Sequence, residues 1–344
     1  MTDLWQTLKS KNKPIVIYGM GNGADAVIDK LSSIGVDISG VFASDDFVRG
    51  QTFRGHTVKT LSDIETQLDD FIVVTAFGST LGSVKENIIR ISKRHELYIA
   101  DAPVYGKTFF DSGFVQAHKL ILEKVYSSLS DKRSKQVFEN IVKFKLSGKI
   151  EYLFASEDSE ESTFKELLPN RADTIFDLGA FIGDTAEKFA ALWPDYKKII
   201  AVEPSEKNYS RLLKTAEHLR NTECVNAAIG YLNGNMFFGD EGGRNQSLHG
   251  GSKSTTCITI DKLCEKFGFP SFIKFDIEGE ELNGIIGGEQ TIKNHKPVLL
   301  VSAYHRSEDL ITIPQKILSL RDDYKMFLRR FPCIPCWDTY YIFV

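Results

Sequence analysis

One stretch, residues 174–203, constrains the fold of this chain more than any other. It begins with a short apolar run at 174–178, passes through a glycine-containing loop and a helical segment, and ends in a second apolar run followed by Glu203. Short apolar runs of this kind are typical of strands that are buried on both faces of a parallel sheet. The order of strand, glycine loop, helix, strand and acid therefore predicts a Rossmann-like α/β sheet.

The acid and the loop also predict a ligand. Open α/β sheets bind ligands at the carboxyl ends of their strands, and an acid in the position of Glu203 commonly holds ribose hydroxyls. Asp177 and Asp184 flank the glycine loop, and two carboxylates repel a pyrophosphate but attract ammonium and sulfonium groups. Gly179 and Gly183 also depart from the G-x-G-x-x-G spacing of dinucleotide sites. We therefore expect S-adenosylmethionine, with a generic α/β turn as the alternative.

Composition excludes several classes of protein. The chain has 344 residues, which is enough for two domains, and its net charge of −4 argues against a nucleic-acid partner. We find neither an apolar run of membrane-spanning length nor a signal peptide, and five scattered cysteines do not form a disulfide framework. We therefore expect a cytoplasmic protein that has no membrane partner. The oligomeric state stays open, with a homo-oligomer as one option.

The N-terminal part repeats the strand, glycine loop and helix pattern. An apolar run at 14–18 is followed by Gly19, Gly21 and Ala24, which fit G-x-G-x-x-[G/A]. We expect a small Rossmann-like domain at 1–105 that binds a nucleotide or nucleotide sugar. The alternative is a helper domain whose glycines only allow close helix packing. Residues 106–170 show helical periodicity and predict a helical connector before a third segment at 171–344.

A second acidic stretch follows the apolar run at 272–275. Four acids occur within six residues, and they are costly to bring together without a cation or proton donor nearby. Asp276 comes at the carboxyl end of a predicted strand that would lie beside the strand containing Asp177, so we assign Asp276 and Glu278 a functional role. Glu280 and Glu281 are interpreted as favourable charges in the first turn of the following helix.

Three further features lie in the C-terminal half. His305 follows the apolar run at 298–303, and an ordinary histidine, with a pKa of about 6.5, suits general-base work near neutral pH. The glycine-rich polar segment 237–254 is expected to lie over the substrate. Cys333 and Cys336 form a lone C-x-x-C pair, for which we favour loop packing over metal or redox chemistry.

Taken together, the C-terminal half resembles the FkbM family of S-adenosylmethionine-dependent methyltransferases. The resemblance covers residues 171–344 in family order and implies a class I methyltransferase sheet of seven strands with the last antiparallel. It also implies O-methylation, often of sugar or polyketide hydroxyls. The matching motifs are Asp177-Leu178-Gly179-Ala180-x-x-Gly183-Asp184-Thr185, Val202-Glu203-Pro204, Asn226-Ala227-Ala228-Ile229-Gly230, Thr259-Ile260-Asp261-x-Leu263, Ile273-Lys274-x-Asp276-Ile277-Glu278-Gly279-x-Glu281, Ser302-x-Tyr304-His305-x-x-x-Asp309-Leu310-x-x-Ile313-Pro314 and Tyr324-x-x-x-Leu328-Arg329.

The resemblance also implies roles for individual residues. The implied contacts are to the methionine part of the cofactor for Asp177, Gly179 and Gly183, to the ribose for Glu203, to the adenine for Asn226 and Ala227, and to the methyl acceptor for Asp276, Glu278 and His305. Ala180 and Asp184 complete the predicted cofactor site. The implied acceptor is a small hydroxylated molecule, such as a sugar, a nucleotide sugar or a secondary metabolite.

Methyl transfer to a hydroxyl requires in-line geometry and the loss of a proton. Either His305 or Asp276 accepts that proton, or Asp276 and Glu278 hold a divalent cation that lowers the pKa of the hydroxyl. Two other functions stay open. One is a nicotinamide-dependent oxidoreductase that uses the N-terminal glycine loop, and the other is a cofactor-binding protein without catalysis.

Overall fold

A computed structural model describes residues 2–238 and 253–344. The chain forms two compact units, and neither is a single continuous stretch of sequence. Unit 1 comprises Met1–Tyr126, Lys132–Asp158 and Arg330–Asp338, and unit 2 comprises Ser127–Asp131, Ser159–Arg329 and Thr339–Val344. These limits differ from the predicted segments 1–105, 106–170 and 171–344. The expected substrate-covering segment, 237–254, lies largely outside the described residues.

Unit 1 is an α/β unit. The helices and strands of this part of the chain are, in order, α1 (Leu4–Ser10), β1 (Ile15–Tyr18), α2 (Asn22–Ser33), β2 (Gly40–Phe42), β3 (Thr52–Phe53), β4 (His56–Lys59), α3 (Leu61–Glu65), β5 (Ile72–Thr75), α4 (Gly82–Ser92), β6 (Glu96–Ile99), α5 (Ser112–Ala117), α6 (Lys119–Ser128), α7 (Lys132–Ser147) and α8 (Ile150–Ala155). The sheet order is β3-β4-β2-β1-β5-β6. Strands β2, β1, β5 and β6 pair in parallel, and β1 is wholly buried. The strand order reverses beside β1, as in doubly wound folds.

The segment Arg330–Asp338 belongs to unit 1 because its backbone and one arginine are bonded there. Ser79 and Ile334 form a β-bridge, and the Arg330 side chain is fully buried. The Arg330 guanidinium donates to Ser156 Oγ at 2.7 Å and to the Leu153 carbonyl at 2.7 Å. Cys333 and Cys336 are buried in this segment and are not joined in a disulfide, and burial raises the pKa of Cys333 to about 12. These positions support the interpretation of the C-x-x-C pair as loop packing.

Unit 2 contains the predicted second sheet. Its elements are α9 (Glu160–Leu167), β7 (Thr174–Leu178), α10 (Asp184–Leu192), β8 (Lys198–Val202), α11 (Glu206–Ala216), β9 (Thr222–Val225), β10 (Ala228–Ile229), β11 (Gly234–Phe238), β12 (Lys253–Ile258), α12 (Ile260–Phe267), β13 (Phe272–Phe275), α13 (Glu281–Ile286), α14 (Glu289–His295), β14 (Val298–Ser302), α15 (Asp309–Leu320), β15 (Met326–Arg330) and β16 (Thr339–Phe343). Among the helices that the structure describes, none is long and apolar enough to cross a membrane.

The main sheet of unit 2 has seven strands in the order β15-β16-β14-β13-β7-β8-β9. Strands β14, β13, β7, β8 and β9 are parallel, whereas β16 runs antiparallel to β14. Strand β13 lies beside β7, with Lys274 in register with Asp177, so the carboxyl ends of these strands meet at one edge. A small sheet, β10-β12-β11, accompanies it. The predicted α/β fold class with Rossmann-like parallel sheets is confirmed.

Candidate functional site

A cavity of about 570 Å³ lies at the carboxyl ends of β7, β8 and β13. Six of the predicted residues line it: Gly179, Asp184, Glu203, Ala227, Asp276 and Glu278. The other lining residues include Phe181, Thr185, Pro204, Ser205, Lys207, Asn208, Arg211, Ala228, Ile229, Lys274, Ile277 and Glu280. The cavity therefore lies where the strand and glycine-loop pattern predicted a ligand site.

Glu203 is held in place by hydrogen bonds before any ligand binds. Its carboxylate accepts from the backbone N–H of Phe181 at 3.0 Å and from that of Ser205 at 2.9 Å. The side-chain amide of Asn208 donates to the same carboxylate at 3.5 Å. Burial raises the pKa of Glu203, and the two backbone N–H groups oppose that rise because they favour the charged form. Glu203 is thus a fixed acceptor at the end of β8, suited to a pair of hydroxyls.

Glycine is needed at two positions of the loop, both for its backbone conformation and for close packing, and the sequence interpretation captured only part of this. Gly179 has a φ of +76°, and a Cβ there would lie 1.9 Å from the carbonyl oxygen of Asp276. Gly183 precedes α10 with a φ of +95°, and a Cβ there would lie 2.8 Å from Thr215. Both positions favour glycine because of the left-handed conformation. Gly183 itself serves packing against α11 and does not line the cavity.

Phe181 lies between these glycines and was missed by the sequence analysis. Its φ is +50°, an uncommon conformation for a residue with a side chain, and its ring is 50% exposed. Its backbone N–H donates a hydrogen bond to Glu203. The ring therefore lines the cavity as an exposed aromatic surface, which no periodicity in the sequence would reveal.

Asp177 differs from its predicted placement. It is fully buried and is absent from the lining of the cavity, because the strand directs its carboxylate toward Lys274, whose Nζ lies 3.2 Å away. Lys274 also donates to the Gly179 carbonyl at 2.9 Å. Burial alone would lower the pKa of Lys274, but Asp177 and Asp276 raise it, so the lysine stays charged. Burial raises the pKa of Asp177 and Lys274 opposes that rise, so the two groups form a pair inside the protein, of which Lys274 bonds to the loop.

Two more predicted cofactor residues lie beside the cavity wall instead of on it. Ala180 is fully buried in a cluster with Ala201 and Leu212. The Asn226 amide donates to the carbonyls of Glu203 at 2.9 Å and Pro204 at 3.2 Å, which fixes the backbone after β8. Ala227, the next residue, lines the cavity as expected.

Asp276 is held at the cavity wall by neighbouring side chains. Ser302 Oγ donates to its Oδ1 at 2.8 Å, and the Tyr304 hydroxyl donates to the same atom at 3.0 Å. Lys274 Nζ lies 3.9 Å from Oδ2. The side chain is 26% exposed, so a ligand can reach it. A carboxylate fixed in this way can accept a hydrogen bond from a substrate hydroxyl.

His305 lies behind that wall. It is 1% exposed and is not among the residues that line the cavity. Its Nδ1 is 3.1 Å from Glu281 Oε1, and its Nε2 is 3.5 Å from Glu278 Oε2 and 3.7 Å from Asp276 Oδ1. Burial alone would lower the pKa of His305, but Glu281 and the other two carboxylates raise it to about 10. The three carboxylates therefore favour the protonated form of the ring.

Glu281 and Glu280 do begin the helix after β13, as predicted, but neither is a solvated charge. Glu281 is fully buried and accepts from the backbone N–H of Ile277 at 2.9 Å. Glu280 is buried beside Arg306, with 3.6 Å between the charged atoms, and lines the cavity. An acid that is tied to a buried histidine cannot be told from a first-turn acid by spacing alone.

The glycine loop of unit 1 was the second predicted ligand site. A Cβ at Gly19 would lie 2.6 Å from the Phe77 ring, and one at Gly23 would lie 2.7 Å from the Ala76 carbonyl oxygen. These two glycines allow the loops after β1 and β5 to pack directly together. The packing interpretation thus accounts for Gly19, whereas a Cβ at the other predicted glycine, Gly21, would meet no atom within 4 Å, and a nucleotide or nucleotide-sugar partner for unit 1 stays a prediction.

Comparisons with known proteins agree with the geometry. The family model for the methyltransferase FkbM domain matches residues 177–326. The crystal structure of the methyltransferase FkbM from Methylobacillus flagellatus KT has 20% sequence identity and a TM-score of 0.74, covering 96% of this chain and 90% of that one. This likeness extends the shared fold over nearly the whole chain. No curated protein sequence matches.

Two other solved structures resemble only about half of the chain. Precorrin-6y C5,15-methyltransferase from Geobacter metallireducens GS-15 has 14% identity and a TM-score of 0.34, covering 53% of this chain and 84% of its own. Aeropyrum pernix fibrillarin, solved with natively bound S-adenosyl-L-methionine, has 14% identity and a TM-score of 0.33, covering 51% and 67%. The family match and the site geometry together identify residues 177–326 as a methyltransferase domain of the FkbM family.

Proposed function

We propose that unit 2 binds S-adenosylmethionine and transfers its methyl group to a hydroxyl of a small molecule, such as a sugar or a secondary metabolite. The observation that carries this proposal is the Glu203 carboxylate, which two backbone N–H groups hold at the edge of the cavity. A carboxylate in this position after the second strand is suited to the two ribose hydroxyls of an adenosine. Ala227 and Ile229 supply apolar wall for the adenine.

The charge of the cavity supports a cationic cofactor. Asp177 no longer counts toward this charge, because Lys274 balances it. The carboxylates of the wall are Asp184, Glu203, Asp276, Glu278 and Glu280, and its basic residues, apart from the Lys274 already paired with Asp177, are Lys207 and Arg211. An excess of carboxylates favours a sulfonium and ammonium compound over a pyrophosphate.

We assign the acceptor-binding role to Asp276. Methyl transfer needs the acceptor oxygen in line with the sulfonium carbon, and holding it there supplies much of the rate. Asp276 reaches the cavity, accepts a hydrogen bond from the acceptor hydroxyl and takes its proton as the carbon–oxygen bond forms and the carbon–sulfur bond breaks. His305 is less suited to this step, because it is buried and does not line the cavity.

The alternative in which Asp276 and Glu278 hold a divalent cation has to accommodate the same contacts. The Nε2 edge of His305 lies 3.5 to 3.7 Å from one oxygen of each of these carboxylates. Asp276, Glu281 and His305 hold their possible ligand atoms within 4.8 Å of one another, so the structure groups Asp276 with these two residues instead of with Glu278. The proposed reaction assigns no step to a metal ion.

Turnover with the full-length protein tests this proposal. S-adenosylmethionine is incubated with a panel of sugars, nucleotide sugars and polyphenols, and S-adenosylhomocysteine is quantified. We expect acceptor-dependent product, and D276N should lower kcat at least about 100-fold while retaining the cofactor. A wild-type protein that binds the cofactor but methylates no hydroxyl of the panel would favour the non-catalytic alternative. Binding of NADH in place of S-adenosylhomocysteine would favour the oxidoreductase.

A further inference from the structure

The turn that carries Phe181 is fixed by backbone hydrogen bonds on both sides of that residue. The N–H of Ala180 donates to the Val202 carbonyl at 3.0 Å, and the N–H of Gly183 donates to the Ala180 carbonyl at 2.8 Å. Between them, the N–H of Phe181 donates to the Glu203 carboxylate at 3.0 Å. The loop is therefore held to the end of β8, and the direction in which the phenylalanine leaves the backbone is set with it.

Phenylalanine is an unfavourable residue for this backbone conformation. Its φ of +50° lies in the left-handed region, where glycine is free of strain, and the loop uses glycine at its other two left-handed positions, Gly179 and Gly183. The ring is 50% exposed on the cavity wall, so it contributes little burial to the fold. Strain that the fold does not need is found at ligand-binding positions, which points to a contact between the ring and a ligand.

The order of the strands indicates which part of the ligand lies at the ring. Along β13-β7-β8-β9, the wall residues that follow the strands are Asp276 after β13, Phe181 after β7, Glu203 after β8 and Ala227 after β9. In the proposed function, Ala227 contacts the adenine, Glu203 the ribose and Asp276 the acceptor. The sulfur is joined to the ribose through one carbon atom and carries the methyl group toward the acceptor. It therefore belongs between the ribose and the acceptor, beside the loop after β7.

We propose that the Phe181 ring lies against the sulfonium of S-adenosylmethionine and favours this charged cofactor over the neutral product, S-adenosylhomocysteine. This inference rests on the proposed function. The face of an aromatic ring is negative and attracts a cation within about 6 Å of its centre. When the methyl carbon bonds to the acceptor oxygen, whose proton passes to Asp276, the carbon–sulfur bond breaks and the sulfur keeps its electron pair. The sulfur is then neutral, so the attraction is lost and the product exchanges more readily for fresh cofactor.

Calorimetric titration of the full-length protein with S-adenosylmethionine and with S-adenosylhomocysteine tests the proposal, because the two compounds differ in the charge on the sulfur. F181L keeps an apolar side chain but removes the aromatic face. We expect F181L to raise the ratio of the dissociation constant of S-adenosylmethionine to that of S-adenosylhomocysteine about 3- to 30-fold. An unchanged ratio, whether both affinities fall equally or neither falls, would overturn the proposal.

The matched control is N221G, which changes an exposed residue of the same unit that also has a positive φ, +47°, but does not line the cavity. Both of its affinities should equal those of the wild type. Should F181L fold poorly, F181G makes the same measurement, because glycine adopts the backbone conformation of this turn without strain. Wild-type protein that binds neither compound would refute the proposed function and this inference with it. Wild-type protein that binds both, with no change of ratio in F181L or F181G, would refute this inference alone.

Discussion

Lys274 stands in the middle of an otherwise apolar strand, and it explains why the site differs from its sequence prediction. The flanking residues Phe272, Ile273 and Phe275 are fully buried, so a lysine between them needs a buried partner. That partner is Asp177, which is paired inside the protein and does not line the cavity. In the sequence, the only sign of this pair was a single lysine in an apolar run. Its partner could be identified only from the structure, in which β13 lies beside β7.

This pair gives a stability prediction. K274M should lower the free energy of unfolding by about 3–5 kcal/mol, because it leaves the Asp177 carboxylate buried without its counter-ion. The double variant D177N/K274M removes both charges and should recover most of that loss. Urea unfolding of the three proteins measures the difference. Equal stability of K274M and the wild type would show that the pair contributes nothing to the fold.

Glu203 gives a binding prediction at the same scale. E203Q should weaken S-adenosylhomocysteine binding by about 1.5–3 kcal/mol, because a charged acceptor for the ribose hydroxyls is lost. The matched control is E206Q, an exposed acid in the first turn of α11. Isothermal titration calorimetry of both variants checks the expectation. If E206Q loses as much affinity as E203Q, Glu203 has no specific role in holding the ribose.

Whole elements were more predictable than the side chains that they carry. The apolar runs at 174–178 and 298–303 correspond to β7 and β14, and the adjacency of β7 and β13 follows from the doubly wound pattern. The apolar runs predict these strands, because a strand that is covered on both faces must be apolar. The orientation of Asp177, His305 and Glu281 was not predictable, because it depends on contacts between elements distant in sequence.

The loop between β7 and α10 gives a prediction about close packing. G179A should destabilise the protein by about 3 kcal/mol or more, because its Cβ would meet the Asp276 carbonyl oxygen at 1.9 Å in addition to the strain of a positive φ. G268A is the matched control, with a φ of +83° and no atom within 4 Å of its Cβ. The control should cost about 1 kcal/mol. Thermal unfolding separates them, and equal losses would mean that the contact with Asp276 is relaxed easily.

At the scale of the whole molecule, the chain crosses between its two compact units several times. The predicted limit at residue 171 misses this, because the segment Arg330–Asp338 belongs to unit 1. Nothing in its composition signals the assignment, and its bonds reach Leu153 and Ser156, far away in sequence. The sequence therefore indicated that the chain contains two α/β units. It did not indicate which residues belong to each.

This arrangement predicts how a truncated chain behaves. A fragment of residues 171–344 retains Arg330 but lacks Leu153 and Ser156, so a buried guanidinium loses its acceptors. We expect the fragment to aggregate or to unfold without a cooperative transition, whereas the full chain unfolds cooperatively. Circular dichroism during thermal unfolding measures this. A fragment that unfolds cooperatively would show that Arg330–Asp338 is dispensable for unit 2.

Calorimetric titration of the full-length protein with S-adenosylhomocysteine, S-adenosylmethionine, NADH and ATP tests the central claim most directly. The account predicts that both sulfur compounds bind with dissociation constants of about micromolar order, at one site per chain, and that E203Q weakens both. It predicts no comparable binding of the two phosphate-bearing nucleotides at this site. Tight binding of NADH or ATP that E203Q abolishes, with no heat from either sulfur compound, would contradict it.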